Sequence, residues 1–362
     1  MEKLFKAAII AAFDIQLFAT QTTLLNSSGN DLSPEMKTYY SDFLIDMAGP
    51  KLVHDQFGEK KPIPKNGGKT IEFRKFSPLP KATTPITEGV TPTGNKLDVT
   101  ALTATVKQYG DFITTSDVIQ LTAIDNVVVE STKLLGQQAG KTLDTITRDI
   151  LNAGTNVMYA PSVTAAKTTV SAEGVTTVIP GTETEVTSRA NLTMNAKLTV
   201  DVILRAVATL KAMDAEPIGS DFVAIVHPYV AYDLMRDPEW IAVKSYSDPE
   251  DLYEGEIGKI GGVRFVQSTE AKIWKDETCP ANGAGKYAVF STLVIGANAY
   301  GVTEVEGGGL QHIVKPLGYG DDPLNQRASV GWKAIKTAEI LVQPYMVRIE
   351  SLSKYSGIAE AN

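Results

Sequence analysis

The chain has 362 residues, 43% hydrophobic and 21% charged, an ordinary globular composition with length for two or three domains. Its net charge of −8 argues against tight binding of nucleic-acid phosphates, which requires clustered Lys and Arg. The single cysteine, Cys279, excludes an intramolecular disulfide framework and a cysteine-rich metal site, and reads as a small buried thiol.

The first twenty residues imitate a secretion signal, with two lysines ahead of an apolar run. Asp14 interrupts that run, however, and no small-residue cleavage site follows at Thr20 to Thr22. Leu4, Ala8, Ile9, Ala12, Phe13 and Leu17 recur at helical spacing, so an amphipathic helix is expected, too short in its apolar part to span a bilayer. Residues 22–65 read as an arm. It carries a second helix, capped by Asp31 or Ser33, opened by Pro34 and stopped at Gly49-Pro50.

A long hairpin is expected over 66–106. In its first strand, 69–76, Ile71, Phe73 and Lys75 alternate with Thr70, Glu72 and Arg74; its second strand is 96–106. The intervening stretch 77–94 holds Pro78, Pro80, Pro85, Pro92, Gly89 and Gly94, which rule out a helix. A connection this long without structure of its own needs a function or a partner to hold it.

A long helix is expected over 125–153, with Val128, Leu135, Ala139, Leu143, Ile146 and Ile150 as its apolar stripe and Gly154 beyond its end. Such a rod is about 40 Å long. Gly136 and Gly140, in its middle, each cost about 1 kcal/mol relative to Ala, so they mark a bend or a close approach by another segment. The Thr-rich stretch 161–187 reads as an exposed hairpin of short strands. A helix at 199–213, a buried strand at 222–226, a helix from His227 to Met235 and strands at 263–266 and 287–291 make a mixed α+β unit. Strands at 312–315 and 326–334 then flank a loop built on Gly318, Gly320, Asp321, Asp322 and Pro323, and Gly331 inside the second marks a bulge or a close backbone approach.

Catalytic signatures are weak. The run from Gly136 to Thr142 imitates a phosphate loop, but three residues separate its glycines where four are needed, and it lies inside a helix. Gly67-Gly-Lys-Thr70 lacks the first glycine. Gly255, Gly258, Gly261 and Gly262 do not form a dinucleotide fingerprint and are read as positive-φ positions of a tight loop. His54, His227 and His312 lie in separate segments without metal-ligand spacing, and no nucleophile elbow occurs. No catalytic residue, cofactor or metal is expected.

Several motifs carry a resemblance. Pro316-Leu-Gly318, Asp322-Pro-Leu-Asn-Gln-Arg327 and Val330-Gly-Trp-Lys333, in that order, resemble the C-terminal strands of tailed-bacteriophage major capsid proteins, most of all the N-four-like branch with the Hong Kong 97-type fold. Ile71-Glu-Phe-Arg74 and the stretch from Pro85 to Pro92 resemble that family's extended loop, and the stretch from Gly255 to Arg264 its axial-domain loop. The resemblance runs from about residue 31 to 352. It implies an α+β capsid fold with an N-terminal helix and arm (1–65), an extended loop (66–106), a peripheral domain with a long spine helix (107–197 and 306–362, with 161–187 inserted) and an axial domain (198–305). It implies a major capsid protein that self-assembles, as pentamers and hexamers in the host cytoplasm, into an icosahedral shell around a double-stranded DNA genome. Scaffold, portal and decoration proteins would be further partners, with packaged DNA touched only weakly and no membrane. Inter-subunit contacts are expected at Arg74, Lys81, Pro85, Glu88, Gly89 and Pro92, with Arg74 and Glu88 free of any required local partner. Gly255, Gly258, Lys259, Gly261 and Gly262 would form the axial-domain loop, and Gly136 and Gly140 the flexible point of the spine. The alternative is a cellular encapsulating or surface-layer shell protein of the same fold; a hydrolase with an unrecognised site is a third reading.

Overall fold

The computed structural model describes residues 52–76, 79–91, 94–122, 127–163, 167–170, 176–179, 182–244, 258–283, 285–319 and 322–362. The expected helices before residue 50, and Pro92, Gly255, Gly320 and Asp321, lie outside them.

In chain order, β1 (Glu59–Lys60) precedes a two-stranded hairpin, β2 (Thr70–Phe76) and β3 (Val99–Thr105). Next come β4 (Lys107–Ser116), the short α1 (Asp117–Thr122) and the spine α2 (Val127–Asn152). Five short strands follow: β5 (Val157–Tyr159), β6 (Ser162–Val163), β7 (Lys167–Val170), β8 (Thr176–Ile179) and β9 (Glu183–Thr184). The pairs β6–β9 and β7–β8 make the Thr-rich stretch the antiparallel excursion its composition predicts. Then come α3 (Val200–Ala212), β10 (Phe222–Val226), α4 (Pro228–Met235) and α5 (Pro238–Lys244). Beyond them lie β11 (Lys259–Ile260), β12 (Val263–Gln267), β13 (Ile273–Trp274), β14 (Ala281–Asn282), β15 (Gly285–Lys286), β16 (Val289–Ile295) and β17 (Tyr300–Glu304). The chain closes with β18 (Gln311–Lys315), β19 (Arg327–Ile340) and β20 (Met346–Ser351).

Two sheets organise the chain. The first runs β1-β17-β19-β18, with β4 also paired to β19. Its backbone is β19, fourteen residues long and continuing beyond the expected end at Ala334. Alternate residues Val330, Trp332 and Ala334 pack on Leu135, Ala139 and Leu143 of the spine, so the helical stripe meets a matching strand stripe. Strand β4, which the sequence reading did not anticipate, pairs with β19 from Lys107↔Lys336 to Ser116↔Arg327. Two glycines make the approach possible. A Cβ on Gly331 would lie 2.7 Å from the Phe112 Cβ, and one on Gly110 would lie 2.6 Å from the Trp332 carbonyl oxygen. Gly331 thus serves the close approach expected of it.

The second sheet runs β11-β12-β10-β16-β20-β5, with β13 on β16. Strand β10 is buried along its whole length because both faces are covered, which is why it reads as an unbroken apolar run. Phe222, Ala224 and Val226 face the α3 residues Val202, Ile203, Ala206, Val207 and Leu210. Val223 and Ile225 face a second cluster with Leu293, Ile295, Tyr300 and Met346. The strands cross the expected domain limits: β17 pairs with β19 of the first sheet, and β20 with β16 of the second.

Candidate assembly surface

Hairpin β2–β3 is zipped from Thr70↔Thr105 to Phe76↔Val99. Its base has a core. Phe73 is 4% exposed and its ring fills the space left by Gly301, where a Cβ would sit 2.8 Å away. Ala104 and Val106 are buried beside it. Towards the tip this support ends: Phe76, Leu79, Ile86, Val90, Leu97 and Val99 are all exposed, Ile86 at 76%. Lys81, Pro85, Glu88 and Gly89 are exposed among them. A turn closes with Val90 N–H donating to the Thr87 carbonyl at 3.2 Å, and Gly89 takes φ +79° there. Arg74, also exposed, has an acidic neighbour on its own strand. Its Nε donates to Glu72 Oε1 at 3.0 Å, because residues two apart on a strand share a face. Its charge therefore has a local partner.

A second exposed apolar group lies where β4 ends and β19 begins. Asp117 N–H donates to the Gln326 carbonyl at 3.1 Å, joining α1 to the 316–326 loop. Val118, Ile119 and Leu121 of α1 are exposed, Leu121 at 84%, as are Tyr319 and Leu324 of the loop. The loop itself is firmly turned: Asp322 Oδ2 accepts from Arg327 N–H at 2.7 Å, and Asn325 sits at φ +55°.

Behind both surfaces a buried polar network ties the end of the arm to the spine. Asp144 Oδ1 accepts from the His54 backbone N–H at 2.7 Å, and its Oδ2 from His54 Nδ1 at 2.7 Å. The Thr147 hydroxyl donates to Asp55 Oδ1 at 2.6 Å, and the Lys336 ammonium to Asp55 Oδ2. The Tyr300 hydroxyl donates to the His54 carbonyl, and burial pushes its pKa well above the ordinary phenol value. His54 is thus a structural residue. Sequence reasoning missed its partners; the available signal was a carboxylate, Asp144, beside Leu143 of the apolar stripe.

The other anticipated positions are dispersed. Gly258, Gly261 and Gly262 adopt φ +91°, +60° and +80°. A Cβ on Gly261 would meet Leu204 Cδ2 at 2.5 Å, so the loop is drawn close to α3. Lys259 Nζ donates to Asp221 Oδ2 at 2.7 Å; with the Ser220 hydroxyl it holds that carboxyl below its ordinary range. Gly136 and Gly140 are buried on the spine. Cys279 is buried, which pushes its thiol pKa up. Among the described residues no three His, Cys, Asp or Glu side chains gather as a metal site, and no helix is long and apolar enough to cross a membrane.

The architecture has close counterparts. The capsid of Ralstonia phage GP4 aligns with a TM-score of 0.58 at 15% identity, over 82% of this chain and 87% of that one. The capsid of cyanophage P-SCSP1u gives 0.56 at 13%, over 82% and 87%. The capsid subunit of cyanophage Pam1 gives 0.53 at 13%, over 92% and 98%. At such identities the likeness speaks for the fold, which is the α+β Hong Kong 97-type capsid fold. No curated protein matches the chain. A family model described as phage capsid protein matches residues 54–317, well over half of the sequence, covering the hairpin, the spine and the strands of both sheets that precede β19 and β20. The chain belongs to the phage capsid protein family, a family of structural proteins, and is a self-associating subunit of the virion shell.

Proposed function

We propose that this subunit is the major capsid protein of an icosahedral shell around a double-stranded DNA genome, built from pentamers and hexamers in the host cytoplasm. The observation that carries this is the hairpin. Its base is packed into its own subunit, whereas its apolar tip has no core there. Apolar side chains held out on a rigid ribbon gain burial only on another copy, as closed repeated assemblies require. The expected contact residues Lys81, Pro85, Glu88 and Gly89 lie on this tip, and Arg74 at its root engages a neighbour together with Glu72.

The motifs from Pro316 to Lys333 favour the N-four-like branch. The hairpin serves as the extended loop, α2 with β18 and β19 as the peripheral part (107–197 and 306–362), and α3 to β17 as the axial part (198–305), with Gly255, Gly258, Lys259, Gly261 and Gly262 in its loop. Gly136 and Gly140 give the spine its point of flexure. Scaffold, portal and decoration proteins would join this shell, while the net charge of −8 keeps contact with packaged DNA weak.

Deleting 79–91 tests the reading. The expected product has the wild-type circular dichroism spectrum and melting behaviour but sediments as free subunits or open capsomers, with no closed shells in negative stain. Normal particles from the deletion variant would overturn the role given to the tip.

A further inference from the structure

An open cleft of about 720 Å³ lies where the hairpin leaves the body of the subunit. Lys75 and Leu102 line it from the ribbon, Ile150 from the end of the spine, and Glu339, Ile340 and Leu341 from the end of β19. Lys75 shares a face of β2 with Phe73, and Leu102 stands opposite Phe73 on β3. Phe73 itself fills the space at Gly301, whose partner on β19 is Glu339. The cleft therefore continues the packing of the ribbon's root outward, one rung short of the last pair, Phe76↔Val99. Its apolar walls, Leu102, Ile150, Ile340 and Leu341, are only half-buried. Two charges stand among them, Glu339 and Lys75. Among the described residues neither has an opposite charge within ion-pair distance. Burial without a cation raises the pKa of the Glu339 carboxyl.

The hairpin tip carries the complement. Leu79, Ile86 and Val90 are exposed apolar side chains. Lys81 and Glu88 are exposed among them, and among the described residues neither has an ion-pair partner. No residue of 79–91 lines the cleft of its own subunit, so the tip leaves that cleft open. A patch that matches a second, unlike patch of the same chain without reaching it there makes a head-to-tail contact: each copy gives its tip to the next, and repetition closes a ring. Opposite charges set the register of such a contact, and apolar burial holds it. We propose that the hairpin tip of one copy seats in the cleft of the next, with Leu79, Ile86 and Val90 on its apolar walls, Lys81 on Glu339 and Glu88 on Lys75. The proposal rests on the shell-subunit reading and names where the tip lands.

Charge reversal on each side tests it. Lys81→Glu and Glu339→Lys, each alone, should keep the wild-type circular dichroism spectrum and give at least ~tenfold fewer particles, because like charges are brought together. A chain carrying both substitutions should recover. A mixture of the two single variants should give more particles than either alone, since each tip then meets a cleft of opposite sign on the other copy. Lys75→Glu and Glu88→Lys, both at exposed positions, repeat the series should Glu339→Lys fold poorly. Wild-type particle yield from the single reversals overturns the proposal. So does a doubly reversed chain that stays defective, or one that recovers while the mixture does not, the result expected of a contact within one subunit. Carbodiimide coupling of wild-type particles, half of their chains isotopically labelled, gives a second measurement. Peptide mapping should find Lys81 joined to Glu339 between a labelled and an unlabelled chain, and Glu339→Gln should abolish that product. Shells without this cross-link count against the proposal and leave the shell reading intact. A wild-type chain that forms no shells yet couples Lys81 to Glu339 between copies counts against the shell reading alone.

Discussion

The Lys336 ammonium bonds the Asp55 carboxylate inside the subunit, although the two residues stand 281 positions apart. Lys336 is 2% exposed and Asp55 9%. The contact fixes the first described part of the arm to the strand that organises the first sheet. Breaking a buried pair by removing one partner leaves an uncompensated charge, at a cost of about 3–5 kcal/mol. Lys336→Met should lose that much stability in urea unfolding of the free subunit. Pairing it with Asp55→Leu should recover most of the loss. A loss below about 1 kcal/mol in the single variant would show that water reaches the carboxylate.

Gly331 and Gly110 let β4 lie against β19 at a distance that no side chain permits. Gly331→Ala places a methyl group 2.7 Å from the Phe112 Cβ and 2.9 Å from the Asp111 carbonyl oxygen, both on a paired strand that cannot step aside. The expected cost is about 1–3 kcal/mol, as for other overpacked sites. Hydrogen exchange should quicken at the amides of β4 before those of β10. Unaltered protection along β4 would mean that the two strands separate freely at that point.

His227 caps α4: its Nδ1 accepts from the Tyr229 N–H at 3.2 Å, which requires the neutral ring with its proton on Nε2. Burial beside Phe290 lowers its pKa from 6.5 to about 4. The folded state therefore holds fewer protons than the unfolded state between these values. Stability from this group is complete above pH 6.5, falls as the pH drops towards 4, and is constant below. The loss should be about 1–3 kcal/mol, allowing for partial solvent screening. His227→Asn keeps an acceptor at the cap without a titrating ring, so its unfolding free energy should lose this part of the pH dependence. An unchanged slope from pH 6.5 to 4 would place the acid sensitivity elsewhere.

Leu121 and Leu324 touch little in their own subunit yet lie on the exposed group formed by α1 and the 316–326 loop. Leu121→Ser with Leu324→Ser should alter subunit stability by no more than about 0.5 kcal/mol per site, as surface substitutions do. The same pair should raise the subunit concentration needed for particle formation, read by light scattering. Equal assembly thresholds would mean that this face looks outward from the shell.

Periodicity made much of this fold legible. The stripe from Val128 to Ile150 announced the spine, the alternation around Phe73 announced the hairpin, and the unbroken run from Phe222 to Val226 announced a strand covered on both faces. Strand β4 gave no such signal. Its inward face reads Tyr109, Asp111, Ile113, Thr115, half of it polar, because Asp111 is satisfied by the Gln138 amide at 2.6 Å rather than by water alone. The polar network was hidden for another reason: His54 and Asp144 are 90 positions apart, and no local pattern encodes a pairing at that separation. Arg74 is the opposite case. Glu72 was two residues away on the same strand face, and the period of the strand alone would have paired them.

The position of β19 bears on how a cell makes this protein. Its first-sheet partner β4 lies more than half the chain length earlier, and the spine between them rests on the same late strand. A ribosome therefore releases the hairpin, β4 and the spine long before the surface that completes them exists, a high-contact-order topology that folds slowly. A chain cut off before Arg327 therefore lacks the strand on which both β4 and the apolar stripe of the spine rest.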